Sequence, residues 1–312
     1  MAAGAGERNL KLGIVARSQY AALKDGTAKP RGITLEPVEV APMPRLFDRM
    51  IKDGEFDVSE MAIVTYLQGW EHGLPFTAIP VFPLRAFPHG TVLFNTKSGV
   101  SSPKDLEGKK IGVRAYAGTA GVWARGLLQS EYGVDPAKVT WVLNDIEHID
   151  EYKNPANTVF QKGANLGEML VNGEIAAGIG LQGVDSPDVK PLIANARQAQ
   201  ADWFKKTGVF PINNTVVVQN ALLEAAPEVA ESLYTAFKDA KAAYRKRLKE
   251  QGAAGRDEEA DVRFMEIVGD DPLPIGLENN RKALETIIQY AYDQKIIRSK
   301  PTVDELFGAV GD

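Results

Sequence analysis

The chain has 312 residues, 44% hydrophobic and 25% charged, with a formal net charge of -5. That length suits two core-forming domains, and the mild acidic balance argues against a general nucleic-acid binder, which shows a basic face. No cysteine is present, which excludes disulfides, thiolate metal sites and cysteine nucleophiles.

The start, MAAGAGERNLKLGIVAR, is broken by Glu7, Arg8 and Asn9 before any apolar run of signal-peptide length. A cytoplasmic location is therefore expected. No apolar stretch is long enough to span a membrane, so no membrane insertion is expected. Strands are predicted at Leu10–Ala16, Thr34–Val40, Phe76–Phe82, Thr91–Asn95, Lys110–Arg114, Val139–Leu143, Ile175–Gly180 and Thr215–Val218. Amphipathic stretches lie between them. Leu46, Phe47, Met50 and Ile51 form one stripe, and Met61–Trp70 forms a second helix. This alternation predicts α/β layers with mostly parallel sheets.

Two helix starts are marked. Ser102-Pro103-Lys104-Asp105 combines a Ser cap, a Pro at the first position and an acid in the first turn. Pro227 opens a long helix with Val229, Leu233, Phe237 and Tyr244 on one face. Asn279–Ile297 carries a further core stripe. Crossovers near residues 95 and 215 divide the chain into a discontinuous lobe 1 (1–95 and 215–312) and a lobe 2 (96–214).

Ligands of open α/β sheets bind beyond the carboxyl ends of strands, near helix N-termini. Four places qualify: Arg17-Ser18-Gln19-Tyr20, Ser59-Glu60, Leu84–His89 and Arg114–Thr119. In the last, a Gly118-Thr119 turn leads into a helix over 120–129, which suits an anion or an ordinary Thr cap. Trp123 reads either as core or as a stacking surface. Arg85 suits a bidentate carboxylate and His89 proton transfer; the alternative is an interlobe ion pair and a surface His. Glu60 is either a partly desolvated acid or the buried partner of an arginine such as Arg85. Glu147-His148-Ile149-Asp150-Glu151 reads as a solvated acidic loop. With only His72, His89 and His148 in the chain, a His-rich metal site is not expected.

The segments EFDVSEMAIVTYL, AIPVFPLRAFPHG, GKKIGVRAYAGTAGVWARGLLQSEYGV, KTGVFPINNTVVV and DPLPIGLENNRKALETIIQYAYDQKII together resemble the 4,5-dihydroxyphthalate decarboxylase family. That family is similar to the type 2 periplasmic solute-binding proteins of ABC transporters. The resemblance covers residues 10–308 in the right order. It implies a two-lobed, periplasmic-binding-protein-like α/β fold with two hinge crossovers. It also implies non-oxidative decarboxylation of a hydroxylated aromatic acid in the cleft between the lobes.

Matching positions are Glu60, Arg85, His89, Tyr116, Thr119, Trp123 and Arg125. His89 and Glu60 are the expected catalytic pair. Arg85, Arg114, Tyr116, Gly118, Thr119, Trp123, Arg125, Ser18 and Asn214 are the expected substrate contacts. The chain departs from the family pattern at Arg17–Tyr20, Leu84, Pro88, Ala115, Asn213-Asn214 and Leu273–Gly276. No cofactor is expected, and a divalent metal is left open. The expected partner is a small aromatic or other carboxylate, not a nucleic acid, and a homo-oligomer is left open. The alternative reading is a solute-binding protein, receptor or sensor, without chemistry.

Overall fold

The computed structural model describes residues 8–307. In chain order the first elements are β1 (Arg8–Ile14), α1 (Ala21–Lys24), β2 (Ile33–Glu39), α2 (Met43–Asp53), β3 (Val58–Ala62), α3 (Ile63–Glu71) and β4 (Phe76–Arg85). There follow β5 (Val92–Asn95), β6 (Lys110–Val113), α4 (Thr119–Tyr132), β7 (Thr140–Leu143), β8 (Thr158–Phe160), α5 (Leu166–Val171), β9 (Ala177–Ile179), β10 (Val189–Pro191) and α6 (Ala196–Thr207). The chain ends with β11 (Ile212–Gln219), α7 (Asn220–Ala225), α8 (Glu228–Gln251), α9 (Arg256–Val268), α10 (Arg281–Asp293) and α11 (Val303–Leu306).

Two units emerge. The first takes the chain up to Arg85, then Ile212–Glu285 and the residues from Pro301 on. The second takes Ala86–Pro211 and Thr286–Lys300. These limits differ from breaks at 95 and 215 for a definite reason. β5 pairs with β9 and β10 in the second sheet, so residues 86–95 go with that unit. Ile212 already pairs with Arg85 in the first.

The first unit's sheet runs β2-β1-β3-β11-β4. β1 is parallel to β2 and β3, whereas β11 is antiparallel to both its neighbours. The expectation of mostly parallel sheets holds for β1–β4, which run the same way; the exception is β11, the returning strand, which enters the middle of the sheet against them. Central strands covered on both faces read as unbroken buried runs, and β3 is buried at all five positions. One face packs against α8, whose Val229, Leu233, Ala236 and Phe237 meet Leu12, Ile14, Val58, Val81 and Val216. Burying each such side chain contributes about 1.5–3 kcal/mol. Gly13 is required where it stands: a Cβ there would lie 2.8 Å from the Phe56 ring.

The second unit's sheet runs β10-β5-β9-β6-β7-β8. The pairs β9–β6, β6–β7 and β7–β8 are parallel, and β10–β5 and β5–β9 are antiparallel. Val142, Leu166, Met169, Leu170 and Ile175 form a core beneath α5. Ser102 and Asp105 do make a capping box, though they open a four-residue 3-10 turn (Pro103–Leu106) rather than an α-helix. No helix among the described residues is long and apolar enough to cross a membrane.

Candidate functional site

The first unit gathers polar side chains at the carboxyl ends of β1 and β3. Glu60 stands inside β3, paired across to Val216 of β11, rather than after a strand. It is fully buried, at 0% exposure. Its Oε1 accepts from Arg17 Nη1 at 2.6 Å and from Asn214 Nδ2 at 2.6 Å, and its Oε2 accepts from Tyr20 OH at 2.9 Å. A buried carboxylate persists only when paired and hydrogen-bonded, and this one has three donors. The expected arginine partner is thus Arg17, not Arg85. Burial and the nearby Glu60 carboxylate push the Tyr20 phenol well above its ordinary range.

Arg85 is tied into its own unit. Its Nη2 donates to Asn280 Oδ1 and to the Pro274 carbonyl, and its guanidinium lies over the Phe82 ring. Burial pulls it down to about 9, partly offset by Asp271. Ser18 is exposed and hydrogen-bonds Glu258 on α9. The same helix carries Asp261, whose carboxylate accepts from Tyr244 OH at 2.7 Å. Burial raises Asp261 to about 6, against the pull of Tyr244 and Arg17.

In the second unit, His89 is buried among aromatic rings. Trp203 lies edge-on at 5.6 Å and Phe87 at 6.1 Å. His89 therefore sits on neither the surface nor the first unit, and its Nδ1 has no hydrogen-bond partner among the described residues. Desolvation lowers it to about 4, opposed by Glu131. The fold thus favours the neutral ring. Stability is complete above the unfolded value near 6.5 and falls as pH drops from there towards 4. The window of about 2.5 pH units corresponds to a loss of order 3 kcal/mol. A pH series of denaturant unfolding should show a drop between pH 6.5 and 4 that His89→Phe abolishes; an unchanged series in the variant would refute it.

Beyond β6, Arg114 Nη1 donates to Asp145 Oδ2 at 2.7 Å. The N–H groups of Tyr116 and Ala117 donate to the two oxygens of Glu147 at 2.6 and 3.2 Å. Glu147 and the buried His148 therefore do not form a solvated acidic loop. Gly118 is the residue before α4 and offers no side-chain cap; Thr119 is the first helical residue, not the cap. Trp123 is core, edge-on to Tyr290 at 5.7 Å. Arg125 is fully buried too. Its Nε donates to Gln294 Oε1 at 2.7 Å, Nη2 to the Tyr116 carbonyl, and its guanidinium lies 4.0 Å from the centre of the Tyr116 ring. No group of three or more His, Asp or Glu side chains suited to a metal ion occurs among the described residues.

Sequence reasoning placed Arg17 and Tyr20 in a candidate segment without choosing either as a site residue, read Glu147 as solvated, and missed Asp261. Arg17 and Tyr20 carried a signal, because they follow a strand at its carboxyl end. Glu147 carried none, since its partners are backbone groups about thirty residues away.

Residues 19–156 match a family model described as NMT1/THI5 like. Two curated relatives are each named 4,5-dihydroxyphthalate decarboxylase. One, from Comamonas testosteroni, is 33% identical over 246 residues, 74% of each chain. The other, from Pseudomonas putida, is 30% identical over 212 residues, 63% of this chain and 81% of the relative. Solved structures match in fold. The alkanesulfonate-binding protein SsuA from Xanthomonas axonopodis pv. citri, bound to MOPS, gives a TM-score of 0.56 at 13% identity over 98% of this chain and 99% of its own. The Candida albicans CA3427 gene product, described as having the generic periplasmic binding protein fold, gives 0.58 at 12% over 97% of both. The desulfurization enzyme DSZB gives 0.57 at 12% over 96% of both. The periplasmic-binding-protein-like α/β fold expected from the sequence is borne out.

The cytoplasmic location is not. The matching solved structures include periplasmic binding proteins, so this fold gives no ground for placing the chain in the cytoplasm. Part of the stretch behind that expectation, residues 1–7, lies outside the described residues.

Proposed function

Because the chain belongs to the 4,5-dihydroxyphthalate decarboxylase family, we propose that it removes carbon dioxide from a hydroxylated aromatic carboxylic acid. The observation that most supports chemistry rather than binding alone is Glu60: a carboxylate fully out of water, at the carboxyl end of the sheet, held by Arg17, Tyr20 and Asn214.

In the proposed reaction the ring carbon bearing the carboxylate takes a proton. The bond to the carboxylate carbon breaks, its electron pair returns to the ring, and carbon dioxide leaves. A ring hydroxyl supplies electron density to that carbon. The protein's part is to orient the ring, exclude water and deliver the proton. Glu60, with Tyr20 and Arg17 around it, passes the proton. The reading calls for no organic cofactor.

The test is release of carbon dioxide from a panel of hydroxybenzoates and hydroxyphthalates. Release from at least one member is expected, and none from any member would overturn the reading. The second reading, a binding protein without chemistry, draws on the family model and on the solved binding proteins. Ligand-induced thermal stabilisation without carbon dioxide release would favour it.

A further inference from the structure

We infer that Glu60, the proposed proton donor, is resupplied with protons through a small cavity under α8, by way of Gln19 and Tyr20. The inference deepens the decarboxylase reading and rests on it.

That reaction consumes protons. A carboxylate substrate enters, the ring carbon gains a proton, and neutral carbon dioxide leaves. Each turnover takes one proton from solvent and leaves Glu60 one proton short. Glu60 itself meets no solvent, so its proton must return through a neighbouring group. It has three donors. Arg17 holds its protons permanently, and the Asn214 amide is not an acid. The Tyr20 hydroxyl alone can accept a proton on one side and give one on the other. Its O–H already donates to Glu60 Oε2 at 2.9 Å.

Tyr20 lines a cavity of about 30 Å³. One water needs roughly 10–15 Å³ on this measure, together with polar partners, so about two waters fit. Val81, Phe82, Phe237 and Ile275 supply apolar walls, and Gln19, Tyr20 and Lys241 bring the polar side chains. All of these residues belong to the first unit. Gln19 is fixed, because its Nε2 donates to the Pro83 carbonyl at 2.8 Å, and it also hydrogen-bonds the Tyr20 side chain. Lys241 pairs with Asp271 at 2.7 Å and keeps 16% of its side chain exposed, so the cavity meets solvent there. A proton on a cavity water passes to the Tyr20 oxygen as the Tyr20 proton passes to Glu60 Oε2. One O–H bond forms at Tyr20 while another breaks. No phenolate is formed, which matters in a site where burial disfavours one.

The test has two parts. A crystal structure of the whole chain that resolves waters should place one in the cavity, in hydrogen-bond reach of Gln19 or Tyr20. A dry cavity would overturn the inference whatever the activity. Carbon dioxide release is then measured on the hydroxybenzoate and hydroxyphthalate panel. Ala240→Leu fills the cavity from α8; Gln19→Leu removes a polar wall without filling it, and serves if the first variant does not fold. Each should lower kcat about tenfold, less than loss of the donor itself. KM should stay within about twofold, and the solvent deuterium isotope effect on kcat should grow. Wild-type kcat in both variants, or a lowered kcat with an unchanged isotope effect, would overturn the relay alone. No carbon dioxide from the wild-type chain removes the decarboxylase reading and the relay with it.

Discussion

Glu60→Ala should destabilise the first unit by about 3–5 kcal/mol, because it leaves the Arg17 charge largely buried and without its carboxylate. Tyr20 and Asn214 lose their acceptor in the same step. Denaturant unfolding reads the loss. Removing both charges, as Arg17→Leu with Glu60→Leu, should cost less than Glu60→Ala alone, since no charge is then stranded. Glu60→Gln keeps the shape and much of the stability but carries no charge and no transferable proton. Under the decarboxylase reading its turnover should fall about 10²–10⁴-fold, with substrate affinity changed far less. Wild-type turnover in Glu60→Gln would remove Glu60 from the chemistry, and unchanged stability in Glu60→Ala would contradict the three-donor geometry.

Trp123→Ala should cost about 3–5 kcal/mol, the usual range for emptying a large aromatic site in a core. Trp123 meets Tyr290 edge-on, and that ring in turn lies against the backbone of α4. A Cβ at Gly126 would come within 2.1 Å of Tyr290 Cδ2. There is little room to collapse into the cavity. Ligand affinity measured on the folded variant should stay within about twofold of wild type, a change of only about 0.4 kcal/mol. A tenfold loss of affinity with unchanged stability would instead make Trp123 a stacking surface.

These two residues show what could be read from sequence and what could not. The long α8 stripe and the strands with continuous apolar runs were recovered, because buried elements announce themselves by periodicity. β3 was missed: Ser59 and Glu60 in VSEMA look like a strand's end, and only pairing on both sides makes polar residues tolerable there. β8 and β10 are three-residue strands with few buried side chains, so nothing in composition marks them. The site divides similarly. Glu60 was chosen for its position and has the environment expected of a buried acid. Arg85 was offered as a possible arginine partner, whereas Arg17 fills that role and Arg85 donates to Asn280, 195 residues away. Glu147 looked solvated because its neighbours in sequence are charged, yet it is secured by main-chain groups that leave no trace in the alphabet of side chains.

The position of β11 in the first sheet has a consequence for how the protein is made. β3 and β4 are near neighbours in sequence, yet they join only through β11, which begins at Ile212. A chain emerging from the ribosome can pair β1 with β2 and β3 early, since those contacts are local. β4 then waits, its edge open, while more than a hundred further residues are made. Closing so long a loop is slow and leaves strand edges exposed in the interval. Residues 86–211, which supply every strand of the second sheet, are all available before that closure. The segment holding Asn214 therefore completes the Glu60 cluster and the first sheet in a single late event during synthesis.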